Sequence, residues 1–195
     1  TGATQNTVIP FLDLDQISIV FSEHVTVNLS QIQLRNSLGL FIPVEKAVMD
    51  VITHTLTLTL AQPLGSAHYE LSLTDAVTDA WGNALDGEWQ DGVSLESGNG
   101  TAGGSFAMNF RVLEGDINGD SVTNDLDLFG VWQHIAGVPY NALHDLNGDG
   151  QIASSDVTLM STVYLQALPS VWTLSGGLRI PVPAPLIQFI NNAQP

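Results

Sequence analysis

The stretch Thr55-Leu-Thr-Leu-Thr-Leu60 alternates polar and apolar side chains without interruption. Because successive side chains of a β-strand point to opposite faces of a sheet, this pattern predicts a strand with a buried leucine face and a solvated threonine face. The same period recurs in residues 16–21, 68–74 and 105–112, between proline- and glycine-containing breakers. Short strands at such intervals, with no helical period, predict an antiparallel β-sandwich over residues 1–113.

Composition and charge narrow the possible partners. The chain has 195 residues, no cysteine, and 20 acidic against 4 basic side chains, for a formal net charge of −16. Nucleic-acid binding needs a basic patch, so this balance argues against it, and no apolar run is long enough to predict membrane insertion. Without cysteine, disulfides and thiolate metal sites are absent. The acidity and the low lysine content favour an extracellular or cell-surface bacterial protein.

A repeat begins where the strand pattern ends. The first copy is Asp116-Ile-Asn-Gly-Asp-Ser-Val-Thr-Asn-Asp-Leu-Asp127, and the second is Asp145-Leu-Asn-Gly-Asp-Gly-Gln-Ile-Ala-Ser-Ser-Asp156. Each copy places oxygen-bearing side chains at positions 1, 3, 5 and 12 and is followed by a segment with helical spacing of apolar residues. This is the spacing of an EF-hand-type calcium loop, in which position 7 offers its carbonyl oxygen and position 9 often holds a water.

The spacing predicts two Ca²⁺ sites. Calcium takes six to eight oxygen ligands, and each loop supplies three carboxylates that repel one another without a cation. Calcium is therefore expected to act as a folding ligand of this module. The predicted ligands are Asp116, Asn118, Asp120, Val122 (carbonyl), Asn124 and Asp127 in the first loop, and Asp145, Asn147, Asp149, Gln151 (carbonyl) and Asp156 in the second.

Residues 114–168 resemble a dockerin, a duplicated loop–helix calcium module, through Gly115-Asp-Ile-Asn-Gly-Asp120 and Asp145-Leu-Asn-Gly-Asp-Gly150 with their position-12 aspartates. The resemblance implies the same ligands. Ser121 replaces the usual glycine of the turn, which predicts weaker binding in the first loop. Dockerins of cellulosomes dock onto cohesins through loop positions 10 and 11 and the following helix. These positions are Asp125-Leu126 and Ser154-Ser155 here, so the two copies differ.

The front of the chain resembles a bacterial immunoglobulin-like domain over roughly residues 10–112. The resemblance rests on residues 17–23, on residues 56–64 ending in Ala-Gln-Pro-Leu, and on Val-Thr-Asp-Ala-Trp-Gly-Asn-Ala-Leu at 77–85. Such domains followed by dockerin-like modules are similar to the C-terminal ends of large bacterial surface or secreted proteins.

Catalysis is not expected. The five histidines show no paired ligand spacing and are expected to be surface or satisfied residues. The chain has no hydrolase, metalloprotease or phosphate-loop motif. A glycosidase-type carboxylate pair is less favoured than a spacer role for such a sandwich. Core packing is expected of the four tryptophans (81, 89, 132 and 172) rather than a sugar-binding platform.

The remaining segment, residues 169–195, predicts an extended, apolar, proline-rich tail. It could fold back on its own sandwich or add as a strand to the sheet of an identical subunit, which would build a fibre or surface layer. The leading hypothesis is a non-catalytic, calcium-binding structural or adhesive protein assembled through this tail. The alternatives are an anchor module that binds a cohesin in a multidomain secreted protein and, less favoured, an accessory carbohydrate-binding module.

Overall fold

The computed structural model describes residues 8–88, 97–168 and 187–190. Two α-helices, α1 (Asp125–Ile135) and α2 (Ser154–Thr162), follow most of the strands, and one-turn 3-10 helices lie at Leu29–Gln31 and Ala142–His144. The strands in chain order are β1 (Val8–Ile9), β2 (Leu14–Val20), β3 (Val25–Thr26), β4 (Ile32–Asn36), β5 (Val44–Asp50), β6 (Thr55–Leu64), β7 (Ala67–Leu73), β8 (Thr78–Asp79), β9 (Phe106–Val112) and β10 (Ile187–Ile190).

The strands form two four-stranded sheets that share one core. One sheet has the order β1-β9-β7-β4 and the other β10-β2-β6-β5, while β3 and β8 form a separate pair. Ile17 and Leu58 of one sheet and Leu71 and Phe110 of the other are fully buried in the same cluster. The predicted mainly β, immunoglobulin-like sandwich is confirmed, with one difference: β1 pairs with β9 in parallel.

The proline- and glycine-containing stretch Gln62-Pro63-Leu64-Gly65 predicts a break after the alternating leucines. This prediction is wrong in its position, because β6 continues through Pro63 to Leu64. The register between β2 and β6 shifts here, from Gln16 opposite Thr59 to Leu14 opposite Leu64. Pro63 therefore lies in an irregular part of the ladder, where the N–H group that proline lacks is not needed.

The structure places β10 on the outer edge of β2 within the same chain. The two strands pair antiparallel, with Ile187 opposite Ile19 and Ile190 opposite Gln16. This is the first of the two predicted arrangements, in which the tail folds back on its own sandwich, and it gives no support to strand addition to a neighbouring subunit. An attached segment has a high effective concentration at its own sheet, which favours this arrangement. Residues 169–186 and 191–195, including the predicted proline-rich stretch, lie outside the described residues.

Gly115 lies where the sandwich meets the helical module, and its surroundings are crowded. Its φ is +81°, and a Cβ atom there would lie 2.8 Å from both Met160 Sδ and Thr123 Cγ2. Gly39 has a similar φ of +79° with nothing within 4 Å of the Cβ position. Replacing either glycine by a residue with a Cβ atom therefore carries the cost of a left-handed backbone. Only at Gly115 would the added Cβ atom also be crowded.

We expect Gly115→Ala to destabilise the protein by about 1–3 kcal/mol more than Gly39→Ala, because only the first substitution overpacks its surroundings. Urea denaturation of both variants measures the difference. Equal losses for the two variants would show that the close packing around Gly115 is not a constraint.

Candidate metal centre

The first loop brings three carboxylates together. Asp116, Asp120 and Asp127 each place an oxygen within 4.8 Å of an oxygen of the other two. Asp116 and Asp127 are each only 1% exposed. Buried carboxylates that face one another are unfavourable unless a cation or hydrogen-bond donors compensate their charge. The arrangement therefore has the donor chemistry of a hard-cation site.

Asp116 organises the first half of this loop. Its Oδ1 accepts hydrogen bonds from the backbone N–H groups of Gly119 (2.8 Å) and Asp120 (3.1 Å), and its Oδ2 accepts one from Ser121 (2.8 Å). Burial raises the pKa of Asp116, assisted by the charges of Asp127 and Asp120 and opposed by the bonds from Ser121 and Gly119. A cation at this position would relieve the cost of keeping the carboxyl ionised.

The position-12 aspartate closes the loop from the start of the helix. Asp127 Oδ1 accepts hydrogen bonds from the backbone N–H groups of Ile117 (2.9 Å) and Asn118 (3.0 Å), and its Oδ2 accepts one from Asn124 (2.9 Å). Asn124 in turn caps α1, because its Oδ1 accepts a hydrogen bond from Leu126 N at 2.8 Å. Asn124 and Asp127 thus form a capping box that fixes where the helix begins.

The second loop repeats this network. Asp145 accepts hydrogen bonds from the backbone N–H groups of Asp149 (3.1 Å) and Gly150 (2.9 Å). Asp156, which is fully buried, accepts hydrogen bonds from the N–H groups of Leu146 and Ala153, both at 2.9 Å. Ala153 has no side-chain oxygen, so the Asn124 cap has no counterpart in this loop.

The two loops differ in two further respects. Ser121 adopts φ +74° in the first loop, as predicted for a residue that replaces glycine, whereas Gly150 adopts +85° in the second. Tyr140 donates a hydrogen bond to Asp145 Oδ2 at 2.8 Å, and burial together with this bond raises the pKa of Tyr140 to about 12. The sequence spacing gave no signal for Tyr140, since the residue lies outside the loop.

Two other features of the described residues differ from the sequence-based predictions. His134 and His144 pack edge to face with ring centroids 4.0 Å apart, although their spacing suggested no pair. Trp81 is 83% exposed and Trp132 is 49% exposed, so the prediction of core packing is wrong for both. Trp89 and Trp172 lie outside the described residues, and the carbohydrate-binding alternative stays a prediction.

The outer face of α1 exposes three large apolar side chains together with Asp125 and Gln133. Leu126, Phe129 and Trp132 are all substantially exposed and project from within about 120° of the helix circumference. The exposed positions of α2 instead carry hydroxyl groups, on Ser154, Thr158, Ser161 and Thr162. An exposed apolar ridge on one helix of an otherwise acidic chain is typical of a protein-binding surface. None of the helices in the described part of the chain is long and apolar enough to cross a membrane.

A β-sandwich joined to a duplicated loop–helix module of calcium-binding type defines the class of protein. Comparison with known families agrees: residues 3–94 match the bacterial Ig-like domain family, and residues 114–163 match the dockerin type I domain family. The chain is therefore a bacterial Ig-like domain followed by a dockerin type I domain. Both are non-catalytic modules that typify extracellular or surface bacterial proteins, and dockerin type I domains bind calcium.

One similar solved structure is the selenomethionine form of PcoC, a copper resistance protein from Escherichia coli. It is 14% identical, with a TM-score of 0.37, and the match covers 56% of this chain and 90% of that one. No curated protein matches the chain significantly.

Proposed function

We propose that the helical module binds two Ca²⁺ ions that stabilise its fold. The convergence of Asp116, Asp120 and Asp127 supports the first site most directly, and the repeated hydrogen-bond network around Asp145 and Asp156 supports the second. The remaining ligands are the side chains of Asn118, Asn124, Asn147 and Asp149 and the carbonyl oxygens of Val122 and Gln151. The role of the metal is structural, because it neutralises the carboxylates and thereby fixes the start of each helix.

We further propose that the chain is an anchor segment of a multidomain secreted or cell-surface protein and that its dockerin binds a cohesin. In this proposal residues 1–113 form the Ig-like domain, residues 114–168 the docking module and residues 169–195 the tail. The observation that carries the proposal is the apolar ridge of Leu126, Phe129 and Trp132 on α1. Aromatic side chains exposed at the centre of a surface provide much of the affinity of protein–protein interfaces.

The two helices offer a matched test of this docking surface. Because Phe129 is central to the apolar ridge, Phe129→Ala should weaken binding to a cohesin by on the order of tenfold or more. Thr158→Ala, on the exposed face of α2, should change the affinity less than about twofold. Titration calorimetry against a panel of recombinant cohesins, in millimolar calcium, measures both effects.

Two results would contradict the docking proposal. One is that no cohesin of the panel binds the wild-type chain. The other is that the α1 and α2 substitutions have equal effects on the affinity, which would place the contact surface elsewhere. Calcium binding to the unbound chain is measured in the same series, so that failure to dock is distinguished from failure to load the metal.

A further inference from the structure

Leu12 belongs to the Ig-like domain by sequence but is buried in the helical module. It lies between β1 and β2 and is 9% exposed. Its side chain packs in a cluster with Val131 of α1, Leu146 of the second loop, Met160 of α2 and Val163 just after α2. Leu12, which comes from the sandwich, thus completes the core formed by both helices and the second loop.

The backbone of Leu12 also reaches the second calcium loop. Its N–H group donates a hydrogen bond to the carbonyl oxygen of Leu146 at 3.4 Å. The N–H group of Leu146 donates to Asp156 Oδ1 at 2.9 Å, and Leu146 directly follows Asp145. Leu146 is therefore held on one side by the sandwich and on the other by a proposed calcium ligand.

Further contacts tie the two modules together without a linker. Ser66, in the turn between β6 and β7, donates to Gln166 Oε1 at 2.7 Å and accepts from the N–H group of Glu114 at 3.2 Å. The N–H group of Gly115 donates to the carbonyl oxygen of Pro10 at 2.8 Å. Val8, Leu113 and Leu168 form a second shared apolar cluster. These contacts oppose hinge motion between the modules.

We infer that Leu12 is a positioning residue for the second calcium loop and that calcium binding is energetically coupled to the stability of the Ig-like domain. The inference rests on the proposed calcium binding. Leu146 directly follows Asp145 and donates its N–H to Asp156, so the position of its backbone affects where both carboxylates lie. Leu12 holds that backbone through the cluster and the hydrogen bond. Coupling free energies are reciprocal. Calcium must therefore stabilise the packing of Leu12 by the same free energy by which Leu12 strengthens calcium binding.

Calcium titration calorimetry on the full chain tests the coupling. Leu12→Ala should weaken binding at one of the two sites by on the order of tenfold, within the usual range for coupled sites. The matched control is Leu40→Ala, since Leu40 is 61% exposed between β4 and β5 and should leave both affinities unchanged. If the wild type binds calcium and Leu12→Ala binds it equally well, the inference is wrong while the proposed function stands. If the wild type binds none, the proposed function itself fails.

A second measurement keeps the inference testable if Leu12→Ala does not fold. Hydrogen exchange of the wild-type chain, with and without calcium, reports on the amides of Leu58 and Leu71 in the centre of the two sheets. Coupling predicts that calcium slows their exchange as well as that of residues 114–168. Protection confined to residues 114–168 would overturn the inference.

Discussion

Removal of calcium is expected to lower the thermal unfolding midpoint by about 5–10 °C for each site. This holds where the free calcium concentration was about a hundred times the dissociation constant of the site. A ligand at that excess stabilises the folded state by about 2.7 kcal/mol, and a chain of this length shifts by about 2–4 °C per kcal/mol. The physical reason is the repulsion among buried carboxylates such as Asp116 and Asp127, which only the ion compensates fully.

A thermal melt followed by circular dichroism, in excess calcium and in excess chelator, measures this shift. The control is a melt in chelator plus sodium chloride at the ionic strength of the calcium sample, because general screening also reduces repulsion in a chain of net charge −16. Recovery of the midpoint by sodium chloride alone would mean that screening, and not a bound ion, stabilises the module.

The second large effect is expected from Asp156→Asn. Asn keeps the shape of the side chain and one acceptor oxygen, but it removes the charge and the second carboxylate oxygen. Because ligand charge strongly tunes calcium affinity, we expect the second site to weaken by on the order of a hundredfold. Titration calorimetry should show one of the two binding events lost at micromolar calcium and the other retained.

The matched control for Asp156→Asn is Asp75→Asn. Asp75 is an exposed carboxylate in the turn that follows β7, so its substitution makes the same change in net charge away from the loops. Equal losses of affinity for the two variants would show that calcium responds to the overall charge of the chain and not to a site built around Asp156.

The strands that could be predicted from sequence are those with one buried and one solvated face. Burial alternates strictly in β9 and over residues 55–60 of β6, because each strand buries one face. In β2 and β7 the alternation is interrupted, since Ser18 and His68 are buried as well. The edge strand β5 (Val44–Asp50) could not be predicted in this way, because it has no buried face. It is largely exposed and carries Glu45, Lys46 and Val48 on its surface. The two-residue strands β1, β3 and β8 are too short to show any period.

Part of the candidate metal site could also be predicted from the sequence, and part could not. The loops could be recognised because their donors are close in sequence, and the left-handed turn at Ser121 follows from the position of that residue in the loop. The hydrogen bond from Tyr140 to Asp145, the packing of His134 on His144 and the burial of Leu12 among the helices could not be predicted. These contacts depend on how elements pack in three dimensions, and no local period encodes them.

Titration of the metal-free wild-type chain with calcium tests the central claim most directly. We predict two bound Ca²⁺ ions per chain, with the heat of binding abolished by prior addition of chelator. The first loop is expected to be the weaker site, because Ser121 holds a left-handed conformation that costs a serine more than a glycine. The absence of any binding heat at millimolar free calcium, together with metal analysis that finds no calcium in the purified protein, would contradict the account.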